Sequence, residues 1–108
     1  MRVANVFMHG RKAGTLIEET PGRKYRLEYD GDYDGEPISL SMPISKRTFE
    51  YDRFPPFFDG LLPEGAQLEA LLKRGKLDRD DYFSQLLTVG ADLVGAVTVE
   101  EATWVAAR

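Results

Sequence analysis

Apolar residues recur along this chain with two different periods, and the change falls near residue 54. Upstream the period is two. Residues 2–9 are rich in Val and Phe, and His9-Gly10-Arg11-Lys12 has the composition of a turn. Residues 13–19 resume the strand pattern through Thr15, Leu16 and Ile17, and Thr20-Pro21-Gly22 turns the chain again. Over residues 23–30, Tyr25, Leu27 and Tyr29 alternate with Lys24, Arg26 and Glu28, the signature of a half-buried strand. Residues 36–42 alternate too, with Ile38, Leu40 and Met42 against Ser39 and Ser41. The first half therefore predicts an antiparallel meander of three or four strands.

Downstream the period becomes helical. Pro55 and Pro56 suit a first helical turn, where a missing N–H costs nothing. Pro63-Glu64-Gly65 restarts the chain, and Leu68, Leu71 and Leu72 then fall at helical spacing, with Gly75 as the expected C-cap. A third helix is expected to begin at 77–81, with Asp78 as its N-cap and Asp80 and Asp81 in its first turn. Tyr82, Phe83, Leu86 and Leu87 form its expected buried stripe, and Gly90 ends it. Residues 94–99 read as a last strand returning to the sheet. The predicted architecture is α+β: a small antiparallel sheet, a meander plus a returning C-terminal strand, with about three short helices packed on it, forming a single domain over residues 1–108.

Composition narrows the function classes. A chain of 108 residues, 43% hydrophobic and 30% charged, fits one folded domain. The absence of cysteine excludes disulfides, cysteine-ligated zinc and thiol catalysis, and is compatible with a reducing compartment. The apolar runs are short, so no membrane span is expected, and the first residues open into a strand pattern with no signal-peptide core. A cytoplasmic location is the resulting expectation. The net charge of -4 argues against direct nucleic-acid binding, which needs a basic face. Two local basic clusters have ordinary explanations. Arg23, Lys24 and Arg26 lie on a hairpin arm, while Lys73 and Arg74 complement the dipole at a helix end, followed by Lys76 and Arg79.

Catalytic and ligand chemistry is hard to find. Asp30-Gly31-Asp32-Tyr33-Asp34-Gly35 matches the first half of an EF-hand loop, but Ser41 stands where a bidentate Glu must close the oxygen cage. A solvated hairpin loop explains it better. His9, the single histidine, sits beside Gly10 at a turn, a place for a solvated residue and not for a general base. Phosphate-cradling, dinucleotide and nucleophile-elbow motifs are absent, as are the kinase catalytic-loop and metal-binding signatures. Neither enzymatic activity nor a metal or cofactor is expected. What remains is apolar. The stretch from Phe54 to Gly65 packs three Phe, three Pro and two Leu into twelve residues. It reads as an elbow wedged on the sheet that leaves apolar surface for a partner. Trp104 is either a core residue or a contact anchor.

Four segments carry a family resemblance: Val6-Phe7-Met8-His9-Gly10 through Gly14-Thr15-Leu16; Ile38-Ser39-Leu40-Ser41-Met42-Pro43-Ile44; Phe57-Phe58-Asp59-Gly60-Leu61-Leu62-Pro63-Glu64-Gly65; and Gly90-Ala91-Asp92-Leu93-Val94-Gly95-Ala96-Val97. In this order they resemble the N-terminal subdomain of HipA-like Ser/Thr kinase toxins. In that family the subdomain is a small mixed α/β unit that precedes the kinase core, and the ATP site and phosphorylated serine loop lie in the core. The chain looks like a free-standing version of the subdomain, similar to the short HipS-like antitoxin chains of split systems of the HipBST type. The resemblance implies a HipA-like kinase as partner, with a helix-turn-helix DNA-binding protein as a possible third member. It also implies a non-catalytic role as antitoxin, or as a subunit or fragment that completes the kinase fold without inhibiting it. A helical start at a Pro-Glu-Gly turn projects side chains outward, so Leu62, Pro63, Glu64, Gly65 and Ala66 are the candidate partner-binding residues, with Phe57, Phe58 and Leu61 assigned to the core. The resemblance implies that a Trp often follows the Leu-Leu-Pro-Glu-Gly turn, where this chain has Ala66. If that side chain reaches the kinase, contact there is weakened.

Overall fold

The alternation of the first half builds a hairpin and then a meander. In the computed structural model, which describes residues 1–93 and 95–102, β1 (Arg2–Met8) pairs antiparallel with β2 (Arg11–Thr20), and β2 with β3 (Lys24–Tyr29). A fourth strand, β4 (Thr48–Tyr51), pairs with β3. Helix α1 (Pro56–Asp59), α2 (Gly65–Gly75) and α3 (Tyr82–Val89) follow, and β5 (Val97–Glu101) returns to pair antiparallel with β1. The sheet order is β4-β3-β2-β1-β5, an α+β architecture with a returning C-terminal strand. Among the described residues no helix is long and apolar enough to cross a membrane.

Period-two burial places Ala4, Val6 and Met8, Leu16, Tyr25, Leu27 and Tyr29, Phe49, and Val97 and Val99 in one core. The helical half supplies Phe54, Phe58, Leu62, Phe83 and Leu86 to the same core. Closure depends on Gly90. A Cβ there would run into the carbonyl oxygen of Val99, so only glycine lets the short 3-10 turn after α3 (Gly90–Asp92) lie against β5.

Several expectations need correction. Residues 36–42 do not form a strand. Ile38 and Met42 are buried but Leu40 is 97% exposed, because Met42 N–H bonds to the Ser39 carbonyl and folds the segment into a turn. The spacing of a strand served instead to seat two anchors on either side of a loop. The fourth strand lies at Thr48–Tyr51. Helix α2 ends on a left-handed Lys76 (φ 53), not at a glycine cap. Leu77 N–H bonds back to the Leu72 carbonyl, and Leu77 packs against Gly75. The N-cap of α3 is Asp81, whose side chain accepts from Ser84 N–H, while residues 78–80 form a turn held by Gln85 Nε2 to the carbonyls of Asp78 and Arg79. Gln85 is accordingly buried, and Tyr82 is exposed on the side away from Phe54. The last strand starts at Val97, after Gly95 at φ 107; Val94 and Trp104 lie outside the described residues.

The Asp30–Gly35 segment is also less solvated than its composition implies. Tyr33 is buried, stacked on Tyr29 with centroids 5.8 Å apart, and its hydroxyl donates to the Glu36 carbonyl at 2.6 Å. Asp30 binds Lys12 and Asp34 binds Arg11, so these carboxylates serve as loop fasteners. His9 is exposed at φ 53, its Nε2 3.1 Å from Glu36.

Candidate functional site

The elbow is built by successive tight turns. Phe58 and Asp59 N–H donate to the Pro55 carbonyl, Gly60 to Pro56, Leu61 to Phe58 and Leu62 to Asp59. Pro56 stands in the first turn of α1, where it loses no helical bond. Phe54 fixes the start of the elbow edge-on against Tyr25, centroids 5.4 Å apart, and Phe57 meets Phe58 edge-on at 5.1 Å. Phe58 is fully buried and locks the elbow to the sheet. The chain then extends through Glu64 (φ -130) and reverses at Gly65 (φ 58), a left-handed position that glycine takes without strain.

This geometry sorts the five candidate partner residues. Leu62 does not project outward: it is 9% exposed and belongs to the core cluster. Pro63 is half-buried, and Glu64, Gly65 and Ala66 are exposed. Glu64 is the N-cap of α2 by position, yet its carboxylate makes no capping bond and stays available at the surface. Leu61, assigned to the core, is half-buried instead.

A groove of about 570 Å³ runs between the elbow and the far end of α3. Leu61, the edge of Leu62 and Pro63 form one wall, with Gln67 of α2 beyond them. Val89 and Leu93 form the other, both half-buried. Glu64 and Asp92 put carboxylates along it. Residues Gln67, Val89, Asp92 and Leu93 were not singled out as partner contacts from sequence. The available signal was the motif beginning Gly90-Ala91-Asp92-Leu93, which the fold brings against Leu61-Leu62-Pro63-Glu64.

The α3 wall is held by a polar network at its other end. Arg2 Nε donates to Glu18 at 2.7 Å, Nη2 to Asp81 at 2.9 Å and Nη1 to Ser84 Oγ at 2.8 Å. Glu18 is 2% exposed and also accepts from the Tyr25 hydroxyl at 3.0 Å and Gly22 N–H at 3.3 Å. Burial pushes its carboxyl up, but the bonds from Arg2, Gly22 and Tyr25 outweigh that and hold it below the ordinary glutamate value. Burial and the bond to Glu18 push the Tyr25 hydroxyl up. Asp81 is likewise pushed up by burial, then pulled below its ordinary value by Arg2 and Ser84. The network joins strand β1 to the start of α3, and so sets where Val89 arrives at the groove.

Among the described residues, no three His, Asp or Glu side chains are grouped to hold a metal ion. The groove is open, and its lining mixes the apolar side chains of Leu61, Pro63, Val89 and Leu93 with a larger share of polar surface.

Comparison with known proteins agrees with this architecture. The sequence profile of the HipA N-terminal domain matches residues 4–100. A solved structure described as the N-terminal domain of HipA toxin superposes with a TM-score of 0.75 at 31% identity, covering 96% of this chain and 95% of that one. An uncharacterised protein of Haemophilus influenzae is 36% identical over 101 residues, covering 94% of this chain and 93% of its own length. Two putative kinases of Sinorhizobium fredii, Y4mE and Y4dM, are 30% and 32% identical over 90% of this chain. The match spans only 24% and 26% of those two proteins, so the similarity concerns about a quarter of each. From the extent of the profile match and the shared architecture, the chain belongs to the HipA N-terminal domain family.

Proposed function

We propose that this chain is a non-catalytic protein-binding module, an antitoxin that docks on a HipA-like serine/threonine kinase and neutralises it by direct contact. The observation that carries the reading is the groove in which Leu61, Pro63 and Glu64 meet Val89, Asp92 and Leu93, two of the family-resembling segments converging on one open surface. Half-buried apolar side chains supply the desolvated centre of such an interface, and Glu64 and Asp92 set register against basic residues of the kinase. Pro63, Glu64, Gly65 and Ala66 form the exposed lip of the contact, with Leu62 supporting it from the core. The reading needs no cofactor and no direct nucleic-acid contact, and it places the complex in the cytoplasm, with a helix-turn-helix protein as a further member.

A second reading has one observation in its favour. In the two putative kinases the matching region is part of a chain about four times as long. A separate chain of this type could therefore complete the kinase fold without inhibiting it. Titrating the purified chain into the kinase of the same gene neighbourhood, with phosphoryl transfer as readout, separates the two. Saturable loss of activity supports the antitoxin. A rise in activity or thermal stability of the kinase without inhibition supports the fold-completing subunit.

A further inference from the structure

Strand β4 ends the sheet, and only β3 pairs with it among the described residues. The hydrogen-bond ladder shows what its other side carries. Asp30 N–H donates to the Ala13 carbonyl at 2.9 Å, and Tyr29 N–H to the Arg47 carbonyl at 2.9 Å. By the alternation of an antiparallel ladder, Tyr25, Leu27 and Tyr29 turn their main-chain groups toward Tyr51, Phe49 and Arg47. The N–H and C=O of Thr48 and Glu50 therefore point out of the sheet.

Natural sheet edges are often blunted by a proline, a bulge or a cover. Strand β4 is short, but it holds no proline, and its pairing with β3 runs without a register shift. The opposite edge is covered. There His9 N–H donates to the Ala96 carbonyl and Ala102 N–H to the Val3 carbonyl, so Val99 turns its own carbonyl outward, against Gly90 of the 3-10 turn. Among the described residues, β4 is the bare edge.

A row of alternating donors and acceptors fits an extended strand. The charges along it select which one. Lys46 and Arg47 stand at its N-terminal end, Glu50 and Asp52 toward its C-terminal end, all exposed. Laying a second β4 antiparallel, with Phe49 opposite Phe49, sets Thr48 opposite Glu50 of the second copy and Lys46 opposite its Asp52. Arg47 then faces Tyr51 and Arg53 faces Ser45, so no like charges are opposed. Sliding the copies until Glu50 faces Glu50 sets carboxylate against carboxylate, which that register avoids.

We infer that β4 is a self-association edge, through which two copies of this chain pair antiparallel about Phe49 into one continuous sheet. Thr48 of each copy exchanges main-chain hydrogen bonds with Glu50 of the other. The pairing is two-fold symmetric and uses up the bare edge of both copies, so it stops at a dimer. A contact this narrow belongs to the weak, reversible class. It involves no kinase and stands independently of the docking proposed above.

The test is sedimentation equilibrium of the full chain alone, from about 10 µM to about 1 mM, with a Kd of roughly 100 µM expected for the parent. Glu50→Pro removes a donor that faces away from β3, and should raise Kd about 10-fold or more with circular dichroism unchanged. Asp52→Lys sets lysine against lysine and should raise Kd about fivefold. The double variant Lys46→Asp with Asp52→Lys restores opposite charges and should return Kd to within about threefold of the parent. A parent still monomeric at about 1 mM overturns the inference. A parent dimer that Glu50→Pro leaves intact overturns it too. Should Glu50→Pro fail to fold, the charge variants decide: a Kd unmoved by Asp52→Lys, or not restored in the double variant, overturns the pairing.

Discussion

Arg2 and Asp81, 79 residues apart in the chain, are joined by a salt bridge of 2.9 Å between Nη2 and Oδ1. The contact fastens the N-terminus of α3 to the first strand, and Arg2 simultaneously satisfies the buried Glu18 carboxylate at 2.7 Å. Removing Arg2 leaves Glu18 with only Tyr25 and Gly22 as partners in a site that water barely reaches. Arg2→Ala should therefore destabilise the fold by roughly 2–3 kcal/mol, less than a fully buried pair would lose because Arg2 is 38% exposed. Urea unfolding checks it; a loss below about 0.5 kcal/mol contradicts the role given to this network.

The same network gives the protein an acid limit. Glu18 and Asp81 both have folded values below their ordinary ones of 4.5 and 3.8. A depressed carboxylate contributes its stability above the unfolded value, and loses it as the pH falls through the folded one. Melting temperature should hold from pH 7 to about 5 and fall progressively below 4.5. In Arg2→Gln the fall should be shallower, because the two carboxylates then have less to lose. Parallel curves for parent and variant would show that another group sets the acid limit.

Gly90 supports both the sheet and the groove. A methyl group there meets the Val99 carbonyl, backbone that cannot swing aside, so Gly90→Ala must displace either β5 or the turn carrying Asp92 and Leu93. The expected cost is about 1–3 kcal/mol, the range for forced overpacking. Hydrogen exchange should show the loss first in β5 and β1. Unaltered stability and exchange would mean that the close approach relaxes freely.

Much of this architecture is legible in the sequence, and the exceptions share a cause. Tyr25, Leu27 and Tyr29 alternate against charged neighbours and form β3, and Leu71 and Leu72 fall where α2 buries its face. Strand β4 is only four residues long, Thr48–Tyr51, with Phe49 its one buried side chain, too short a pattern to register. Ile38, Leu40 and Met42 mimic a strand because a pinched turn also buries its first and third apolar residues. Asp78 and Asp81 are both cap residues in isolation; Asp81 is the one held by Arg2, from the other end of the chain, and by Ser84, while Gln85 keeps residues 78–80 in a turn. The elbow announced itself by its density of Phe and Pro. The opposite wall of the groove forms where the chain turns from α3 toward β5, a tertiary event that leaves no local mark at Val89 and marks Leu93 only by its place in the Gly90-Ala91-Asp92-Leu93 motif. Leu62 shows the limit from the other direction, since its helical turn alone does not reveal that the core lies beneath it.

Leu61 and Leu62 are adjacent and should respond differently. Leu62→Ala should cost about 2–4 kcal/mol of stability, as a buried leucine truncated in a core. Leu61→Asp should remain folded and weaken kinase binding by roughly 2 kcal/mol or more, as a residue near an interface centre. Ala66→Trp should strengthen neutralisation if the first turn of α2 faces the kinase, since a buried aromatic anchor contributes up to a few kcal/mol. Calorimetry with folded variants decides these; a folded Leu61→Asp within about 0.5 kcal/mol of the parent moves the contact away from the groove.

The central claim, neutralisation by direct contact, is tested most directly by growth. The chain and its HipA-like kinase are expressed from two unrelated promoters, which removes transcriptional control from the outcome. The account predicts that kinase expression alone arrests growth, that co-expression of this chain restores it, and that the two proteins elute together in size-exclusion chromatography. Growth that stays arrested although both chains are soluble, or that recovers only from the native gene arrangement, contradicts the account.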